Sequence, residues 1–307
     1  MLPAMSRRVA YPAVVVGLSL LVAGCAFNFL GGGGRESWRQ QAERACMAQK
    51  PQSYFVRQVK PINDRGSCGV GYPLAVAALQ EGTIGIGPDA TLGCPVTTAL
   101  EYWMRNSVQP ASFAYFGMPI VEIRQMSAYS CRTRNSKRGA ELSEHAFGNA
   151  LDISGFVLAT GRVVTVKAGW NGQPDEREFL REIFASACAT FNTTLGPGAA
   201  YHADHFHVDL ARHGEKGTYK YCKPRLNITP PARPPYDGTR YAAIPGQPRY
   251  DVMMSATAYS GDGASPLARM PEQVLITPVA PTYEGSPFFT AAGRDDIREA
   301  GDDQMDE

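Results

Sequence analysis

The sequence of 307 residues predicts an α+β fold. Helical patterns come first and between strands, and the strand-like runs are short and rich in β-branched and apolar residues. Two of these runs are joined by a close turn at Thr160-Gly161, which favours an antiparallel pair. We therefore expect a small antiparallel sheet flanked by helices.

Three segments have the periodicity of amphipathic helices, with apolar or small residues recurring every three to four positions. The second segment has Thr97 or Thr98 as its expected N-cap, and the third is acidic in its first turn. The predicted helices cover residues 36–49, 97–106 and 174–191. Four apolar runs between and after them predict strands over residues 119–129, 150–156, 163–167 and 205–212.

The first 24 residues are typical of a bacterial signal peptide. Arg7 and Arg8 precede an apolar stretch that is too short for a comfortable membrane span. Val22-Ala23-Gly24-Cys25 resembles a lipobox, which predicts removal of residues 1–24 and lipidation of Cys25; an uncleaved N-terminal anchor is the alternative. Residues 25–35 include four consecutive glycines and predict a flexible tether.

These features place the chain in the cell envelope, on the periplasmic face. The lipid would attach it to the outer or the inner membrane, and Ala26 after the cysteine favours the outer one. Six cysteines remain besides Cys25, which in an oxidising compartment predicts up to three disulfides. A bridge from Cys188 to Cys222 would join the long helix to the end of the last strand.

The charge balance and the C-terminal composition limit the remaining possibilities. The formal net charge is +1 and no basic stripe occurs, so nothing indicates a nucleic-acid partner. Residues 224–307 contain 12 of the 23 prolines and end in an acidic run. We expect a disordered tail there, whose deletion leaves folding intact, and one folded domain over residues 36–223.

The histidines carry the strongest functional signal, because four of the five fall in two short segments. SEHAFGNALDISG (143–155) holds His145 and Asp152, and YHADHFHVDL (201–210) holds His202, His205 and His207. Alternation along a strand would turn His205 and His207 to one side and Asp204 away from it. Asp152 lies in an apolar strand, where an unpaired carboxylate is costly to bury. His213 is expected to be a plain surface residue.

Two histidines and one aspartate with an open coordination position form a ligand set suited to catalytic zinc. The pattern Ser143-x-His145-x-x-Gly148-x-Ala150-x-Asp152 with a downstream His205-x-His207 resembles the LAS metallopeptidases. The segment around His202 to Val208 is most similar to the penicillin-insensitive murein endopeptidases. The wider pattern, from Cys68-Gly69 through Cys94 and Tyr129-Ser130-Cys131-Arg132 to HADHFH, resembles the extensin-like C-terminal domain over residues 40–222.

The resemblance implies a role for each residue of the two segments. His145, Asp152 and His207 would bind Zn²⁺, while His205 would act as the general base and His202 would stabilise the oxyanion or orient the substrate. Arg132 and Ser143 would contact the substrate, although Ser143 is also expected to cap its loop. Some relatives carry Glu three residues before the last ligand, where this chain has Asp204, so the base is either a histidine or this carboxylate.

The function that these features predict is a zinc metallohydrolase of the cell envelope. It would cleave peptide bonds in peptidoglycan stem peptides or cross-links with a water molecule activated on zinc. The alternative is a zinc-stabilised module that binds cell-wall peptides without cutting them, because some relatives of this kind keep a zinc site without peptidase activity. A scaffold with a decayed motif is a third reading, against which the complete ligand set argues.

Overall fold

The computed structural model of the protein describes residues 34–49 and 51–237. The predicted signal peptide, Cys25 and most of the tether lie outside the described residues, as does the predicted tail from residue 238 onward. Within the described part, no helix combines the length and the apolar character needed to cross a membrane.

All three predicted helices are present, with differences at their ends. The second begins earlier than predicted because Pro95 lies in its first turn, and Gly93, not a threonine, precedes it. A five-residue π-helical segment, Met104–Val108, then leads into a further helix that the sequence pattern did not predict. The helices are α1 (Ser37–Met47), α2 (Cys94–Trp103), α3 (Gln109–Phe116), α4 (Val166–Gly169) and α5 (Pro174–Thr190).

The strands agree with the four predicted runs and add others. Predicted strand 163–167 ends early, because Thr165 caps α4 by accepting a hydrogen bond from the Ala168 amide. The first strands are β1 (Val56–Gln58), β2 (Ile62–Asn63), β3 (Gly69–Val70), β4 (Pro73–Leu79) and β5 (Ile84–Gly93). The later ones are β6 (Ile120–Ser127), β7 (Ala150–Leu158), β8 (Val163–Thr165), β9 (Thr193–Leu195), β10 (Phe206–Asp209) and β11 (Tyr221–Lys223).

The α+β class is confirmed, but the sheet is neither small nor purely antiparallel. In the described residues, nine strands form one sheet in the order β1-β4-β5-β6-β7-β10-β9-β11, with β8 paired to β7. The pairs β5–β6 and β9–β11 are parallel. The strands of residues 56–93 were not predicted. β1 to β3 are only two or three residues long and Pro88 interrupts β5, whereas β4 is a seven-residue apolar strand that was overlooked.

The hydrophobic core lies between one face of the central strands and the helices. Phe206 of β10 packs against Phe184 of α5 and against Trp170, with ring centroids 5.1 and 5.8 Å apart. Trp103 of α2 is fully buried and donates a hydrogen bond from its indole to Ser186 of α5 at 3.0 Å. This packing leaves the opposite face of β7 and β10 for other side chains.

The cysteines of the described residues form disulfides, as predicted for an oxidising compartment. The predicted bridge between Cys188 and Cys222 is confirmed, and it joins α5 to β11. The other two bridges join Cys46 to Cys94 and Cys68 to Cys131. The Cys68–Cys131 bridge fastens the β2–β3 hairpin to the chain that follows β6.

The beginning of the predicted disordered tail packs against the helices, which corrects the domain boundary at residue 223. Leu226 lies against the core, and the Tyr236 ring stacks on Phe113 of α3 with centroids 5.6 Å apart. The Tyr236 amide donates to the Arg105 carbonyl at 2.9 Å, and Arg233 forms an ion pair with Glu182 of α5. Residues 224–237 therefore belong to the folded unit.

Candidate metal centre

Two adjacent strands, β7 and β10, bring together two of the predicted ligands, Asp152 and His207. In the antiparallel pair β7–β10, Asp152 lies directly opposite His207. Phe206 and Val208 point into the core, as alternation predicts, so His207 faces the other side of the sheet with Asp152. Asp152, His145 and His207 are all buried.

His145 reaches the same point from a short 3₁₀ turn, Glu144–Phe147. Ser143 precedes this turn, is itself buried, and its hydroxyl accepts a hydrogen bond from the His145 amide at 3.4 Å. Gly148 ends the turn with φ of +61°, and a Cβ there would come within 2.7 Å of Val70. The structure thus gives Ser143 the expected capping role, while its contact with a substrate stays a prediction.

A buried ion pair holds this turn against the first helix. Arg39 of α1 donates to both carboxylate oxygens of Glu144 at 2.6 and 2.7 Å, and its guanidinium lies 3.9 Å from the centre of the Phe147 ring. The Asn149 amide also donates to Glu144 at 2.6 Å. These hydrogen bonds from Arg39 and Asn149 hold Glu144 in place, and they thereby help to fix the position of the neighbouring His145.

Three acceptor atoms converge at the centre of the site. His145 Nε2 lies 3.2 Å from His207 Nδ1 and 3.1 Å from Asp152 Oδ1, and the last two atoms are 2.8 Å apart. A tetrahedral ion with bonds of about 2.0–2.1 Å separates its ligand atoms by about 3.4 Å. The three atoms are therefore arranged as one face of a coordination shell, and this group could hold a metal ion.

The outer nitrogen of each histidine is committed to an acceptor. His145 Nδ1 donates to the Ala128 carbonyl at 2.7 Å, and His207 Nε2 donates to Asp209 Oδ2 at 2.8 Å. These bonds place the proton of each neutral imidazole on the outer side and leave the inner lone pair free. The donor set therefore fits a cation at its centre, since no proton of a neutral ring occupies that space.

The electrostatics of the cluster also favour a positive charge. Although burial raises the pKa of the Asp152 carboxyl, hydrogen bonds with His145 and His207 bring it far below its usual range. Burial lowers the pKa of His207, but its bonds with Asp152 and Asp209 raise it to about 10. The metal-free chain would thus hold a proton on His207 at neutral pH, in the place that a metal ion would take.

His205 lies just before β10, not within it, so strand alternation does not apply to it or to Asp204. Its Nε2 nevertheless lies 3.8 Å from Asp152 Oδ1, beside the candidate metal ligands. Its Nδ1 lies 2.8 Å from Asp204 Oδ1. The Asp204 carboxylate lies on the side of the His205 ring that faces away from the centre, where it is the hydrogen-bond partner of His205.

His202 completes the group of imidazoles. Its ring centre is 4.9 Å from that of His205 and 5.8 Å from that of His207. Nδ1 donates to the Ala200 carbonyl at 2.5 Å, while burial lowers the pKa of His202 to about 4. His202 is therefore neutral at pH 7 and presents an acceptor nitrogen, Nε2, to the cleft.

Arg132 contacts the site from the loop after β6. Its guanidinium is 3.4 Å from Asp152 Oδ2 and 3.5 Å from the Ser127 hydroxyl, and its side chain keeps 29% exposure. It therefore touches the ligand carboxylate on one side and solvent on the other. This position is compatible with the predicted contact with a substrate.

The comparisons with known proteins bear on the whole of this unit. A family model described as the extensin-like protein C-terminus matches residues 44–223. The chain belongs to this family. No curated protein and no solved structure matches it. The match covers every residue of the cluster and all six cysteines of the three disulfides within the extensin-like domain.

A groove of about 360 Å³ lies along the end of β6 in the extensin-like domain, and no residue of the His145–Asp152–His207 group lines it. Ser127, Ala128 and Tyr129 line it, and Ala128 is the residue whose carbonyl holds His145. Asp89 and the exposed Met126 lie along its length. The groove is therefore connected to the three converging atoms through Ala128, which supports His145, and not through the atoms themselves.

Sequence reasoning missed the residues that support the ligands. Asp209 could have been found, because His207-x-Asp209 places both side chains on one face of a strand. The contributions of Arg39 and the Ala128 carbonyl leave no comparable signal, since the first is remote in sequence and the second is backbone. His213, expected at the surface, is half-buried, and its Nε2 is 2.7 Å from the Thr193 hydroxyl.

Proposed function

We propose that this extensin-like domain is a zinc-dependent hydrolase of peptide bonds in peptidoglycan, acting on stem peptides or their cross-links. His145, Asp152 and His207 would hold the ion. The observation that carries the proposal is the convergence of three acceptor atoms within 3.2 Å of one another, with both outer imidazole nitrogens engaged. The chemistry that zinc supplies when bound is polarisation of a carbonyl and activation of water near neutral pH.

His205 is the residue best placed to move the proton. Its Nδ1–H donates to Asp204, so Nε2 presents a lone pair toward the cluster. In this tautomer Nε2 accepts a proton from the attacking water and returns it to the leaving amine, while Asp204 stabilises the imidazolium. The carboxylate of Asp204 itself is on the far side of the ring, so it serves to orient His205.

Of the two roles expected of His202, orientation of the substrate fits its geometry better than stabilisation of the oxyanion. Because Nδ1 holds the proton and the pKa is lowered to about 4, Nε2 has no proton to donate to an oxyanion at neutral pH. It can instead accept a hydrogen bond from a substrate N–H and so orient the peptide. Arg132, partly exposed beside Asp152, is the donor available for a substrate carbonyl or carboxylate.

The compartment forms part of the same proposal. Three disulfides in one domain are typical of an oxidising environment such as the cell envelope. The chain would be tethered there through a lipid on Cys25, most directly to the outer membrane. Replacement Cys25→Ser should abolish lipid labelling and release the protein from the membrane fraction; unchanged labelling would contradict the anchor.

The function is tested with the purified protein and cross-linked muropeptides. We expect the chain to bind about one zinc ion, to hydrolyse muropeptides when zinc-loaded, and to lose this activity on chelation and in Asp152→Asn. Arg57→Ala, which removes an exposed cation from β1 at the far edge of the sheet, is the control. Failure of the wild type to bind zinc would overturn the metal centre.

The same experiment separates the hydrolase from the non-catalytic binding module. If the zinc-loaded chain retains muropeptides but releases no new amino termini under any condition, the binding module is the correct function. Hydrolysis that persists after complete removal of the metal would contradict both.

A further inference from the structure

Two loops that carry residues of the candidate metal centre contact each other. The first runs from Arg132, which touches Asp152, to Ser143, which caps the turn of His145. The second runs from β9 to β10 and carries Tyr201 directly before His202. Lys137 of the first loop lies over the Tyr201 ring of the second, with Nζ 5.5 Å from the ring centroid.

Tyr201 is unusual in both its exposure and its backbone. Its side chain is 63% exposed although it adjoins a buried histidine, and its φ is +65°. In the described residues its hydroxyl forms no hydrogen bond. A large aromatic residue in the left-handed region is rare, and such strain is concentrated at functional sites.

The loop that carries Lys137 has the same property. Asn135 and Ser136 have φ of +51° and +56°, so two successive non-glycine residues are left-handed immediately before Lys137. The Thr133 hydroxyl donates to the Lys137 carbonyl at 2.7 Å and fixes this conformation. Both members of the Lys137–Tyr201 contact are thus held by strained backbone segments.

The first loop also has an excess of positive charge. Residues 132–141 contain four cations and one carboxylate, a net charge of +3. Arg132 is near Asp152, and Arg134 pairs with Glu141 at 3.1 Å. No carboxylate of the described residues lies within ion-pair distance of Lys137 or Arg138. Lys137 and Arg138 are therefore available to an anionic ligand.

We infer that Lys137 and Tyr201 form a subsite for a carboxylate group of the substrate, which makes the domain selective for acidic peptides. Lys137 supplies the charge, and the Tyr201 hydroxyl supplies a hydrogen-bond donor with no competing partner in the described residues. The ring covers one side of the bound group. This inference rests on the proposed function for the identity of the ligand as a peptide.

The test compares one cross-linked muropeptide with free carboxylates and its amidated counterpart. Binding is measured by calorimetry on zinc-loaded His205→Ala, so that cleavage does not interfere, and KM and kcat are measured on the otherwise unmodified enzyme. In both backgrounds, Lys137→Ala and Tyr201→Phe should each weaken binding of the free-acid peptide about three- to tenfold, seen as a higher Kd or KM. This is the size expected of a charged hydrogen bond at a half-exposed site. The amidated peptide should change little.

Two controls distinguish a carboxylate subsite from general damage. Lys137→Arg should restore most of the preference for the free acid, and Arg57→Ala should leave it unchanged. The kcat for the amidated peptide should stay the same in every variant, since neither residue takes part in proton transfer.

The outcomes also separate this inference from the proposed function. If the wild type never cleaves but prefers the free acid, and Lys137→Ala removes the preference, the subsite is correct and the hydrolase is not. If the wild type cleaves both peptides and Lys137→Ala affects them equally, or if the wild type shows no preference for the free acid, the subsite is wrong.

Discussion

The Nε2–H of His207 donates to Asp209 at 2.8 Å, and this single bond determines which nitrogen of His207 faces the centre of the site. Asp209 is buried and also accepts from the Ala211 amide at 2.8 Å, so its own position is fixed. The carboxylate increases the basicity of the imidazole and sets its tautomer. Asp209 is not one of the three candidate ligands, but it sets the tautomer and the orientation of His207, which is.

Asp209→Asn should weaken zinc binding by about 10–100-fold, the usual effect of losing such a carboxylate partner. The amide keeps the size of the side chain but removes its charge. Zinc affinity is measured by competition with a chromophoric chelator, and far-ultraviolet circular dichroism checks the fold. Asp204→Asn is the matched control, because Asp204 contacts His205 and none of the three ligands; equal affinities in the two variants would contradict the role of Asp209.

His207→Ala and His205→Ala should affect zinc content and hydrolysis differently. Loss of His207 removes a ligand, so zinc content and activity should fall together. Loss of His205 should leave zinc bound while hydrolysis falls by about 10²–10⁴-fold, as for a general base. Metal content by mass spectrometry and the release of amino termini give the two readouts.

A comparison of Asp204→Ala with His205→Ala distinguishes the two candidate bases, Asp204 and His205. We expect Asp204→Ala to reduce hydrolysis less than His205→Ala, because the carboxylate only orients the ring. The assignment is wrong if Asp204→Ala abolishes turnover while His205→Ala spares it.

The metal-free protein should lose stability as the pH rises above about 6.5. The pKa of His207 is raised to about 10 from an ordinary 6.5, so its contribution is complete below pH 6.5 and disappears as the pH approaches 10. The lowered pKa of Asp152 acts only at the acidic end, where its contribution is lost as the pH falls below the ordinary value of 3.8. Thermal midpoints of chelator-treated protein between pH 6 and 10 measure the effect.

Zinc should change this profile, because the ion replaces the proton on His207 and its affinity rises over the same pH range. His207→Ala without metal provides the control and should show a flatter profile between pH 6.5 and 10. A metal-free wild type whose stability is constant over that range would contradict the charge distribution described for the cluster.

Truncation after residue 223 should destabilise the domain, whereas truncation after residue 237 should not. The shorter chain loses the burial of Leu226 and the stacking of Tyr236 on Phe113, which together are worth about 2–4 kcal/mol. Urea unfolding of both truncated chains measures the difference. Equal free energies of unfolding for the two would show that residues 224–237 contribute nothing.

The sequence predicts the candidate site better than it predicts the sheet. Histidine is scarce in this chain, so its clustering is informative, and alternation around Phe206 and Val208 correctly places His207 opposite the core. In the β1–β5 region, the strands of two or three residues and the strand interrupted by Pro88 have no clear period. The apolar run of β4 is a strand signal, but it was overlooked.

Tertiary contacts account for the other differences. The packing of Tyr236 on Phe113 depends on a surface formed by a distant helix, and a proline-rich composition does not reveal it. The contact between His205 and Asp204 joins two residues that precede β10, where the alternation of a strand does not apply. In each case a neighbour remote in sequence, or a shift of one residue at an element's end, decides the local structure.

The pairing of the disulfides has a consequence for how the protein is made. Cys46 bonds to Cys94 and Cys68 to Cys131, so the two covalent rings interlace along the chain. In the proposed export to the cell envelope, Cys46 and Cys68 would both emerge before Cys94 and Cys131. A bond between these two consecutive cysteines would join Cys46 to Cys68 and leave both native rings open. Where such a bond forms, native pairing requires thiol–disulfide exchange after Cys131 has emerged, so the yield of correctly paired protein would depend on the disulfide-isomerase capacity of the compartment.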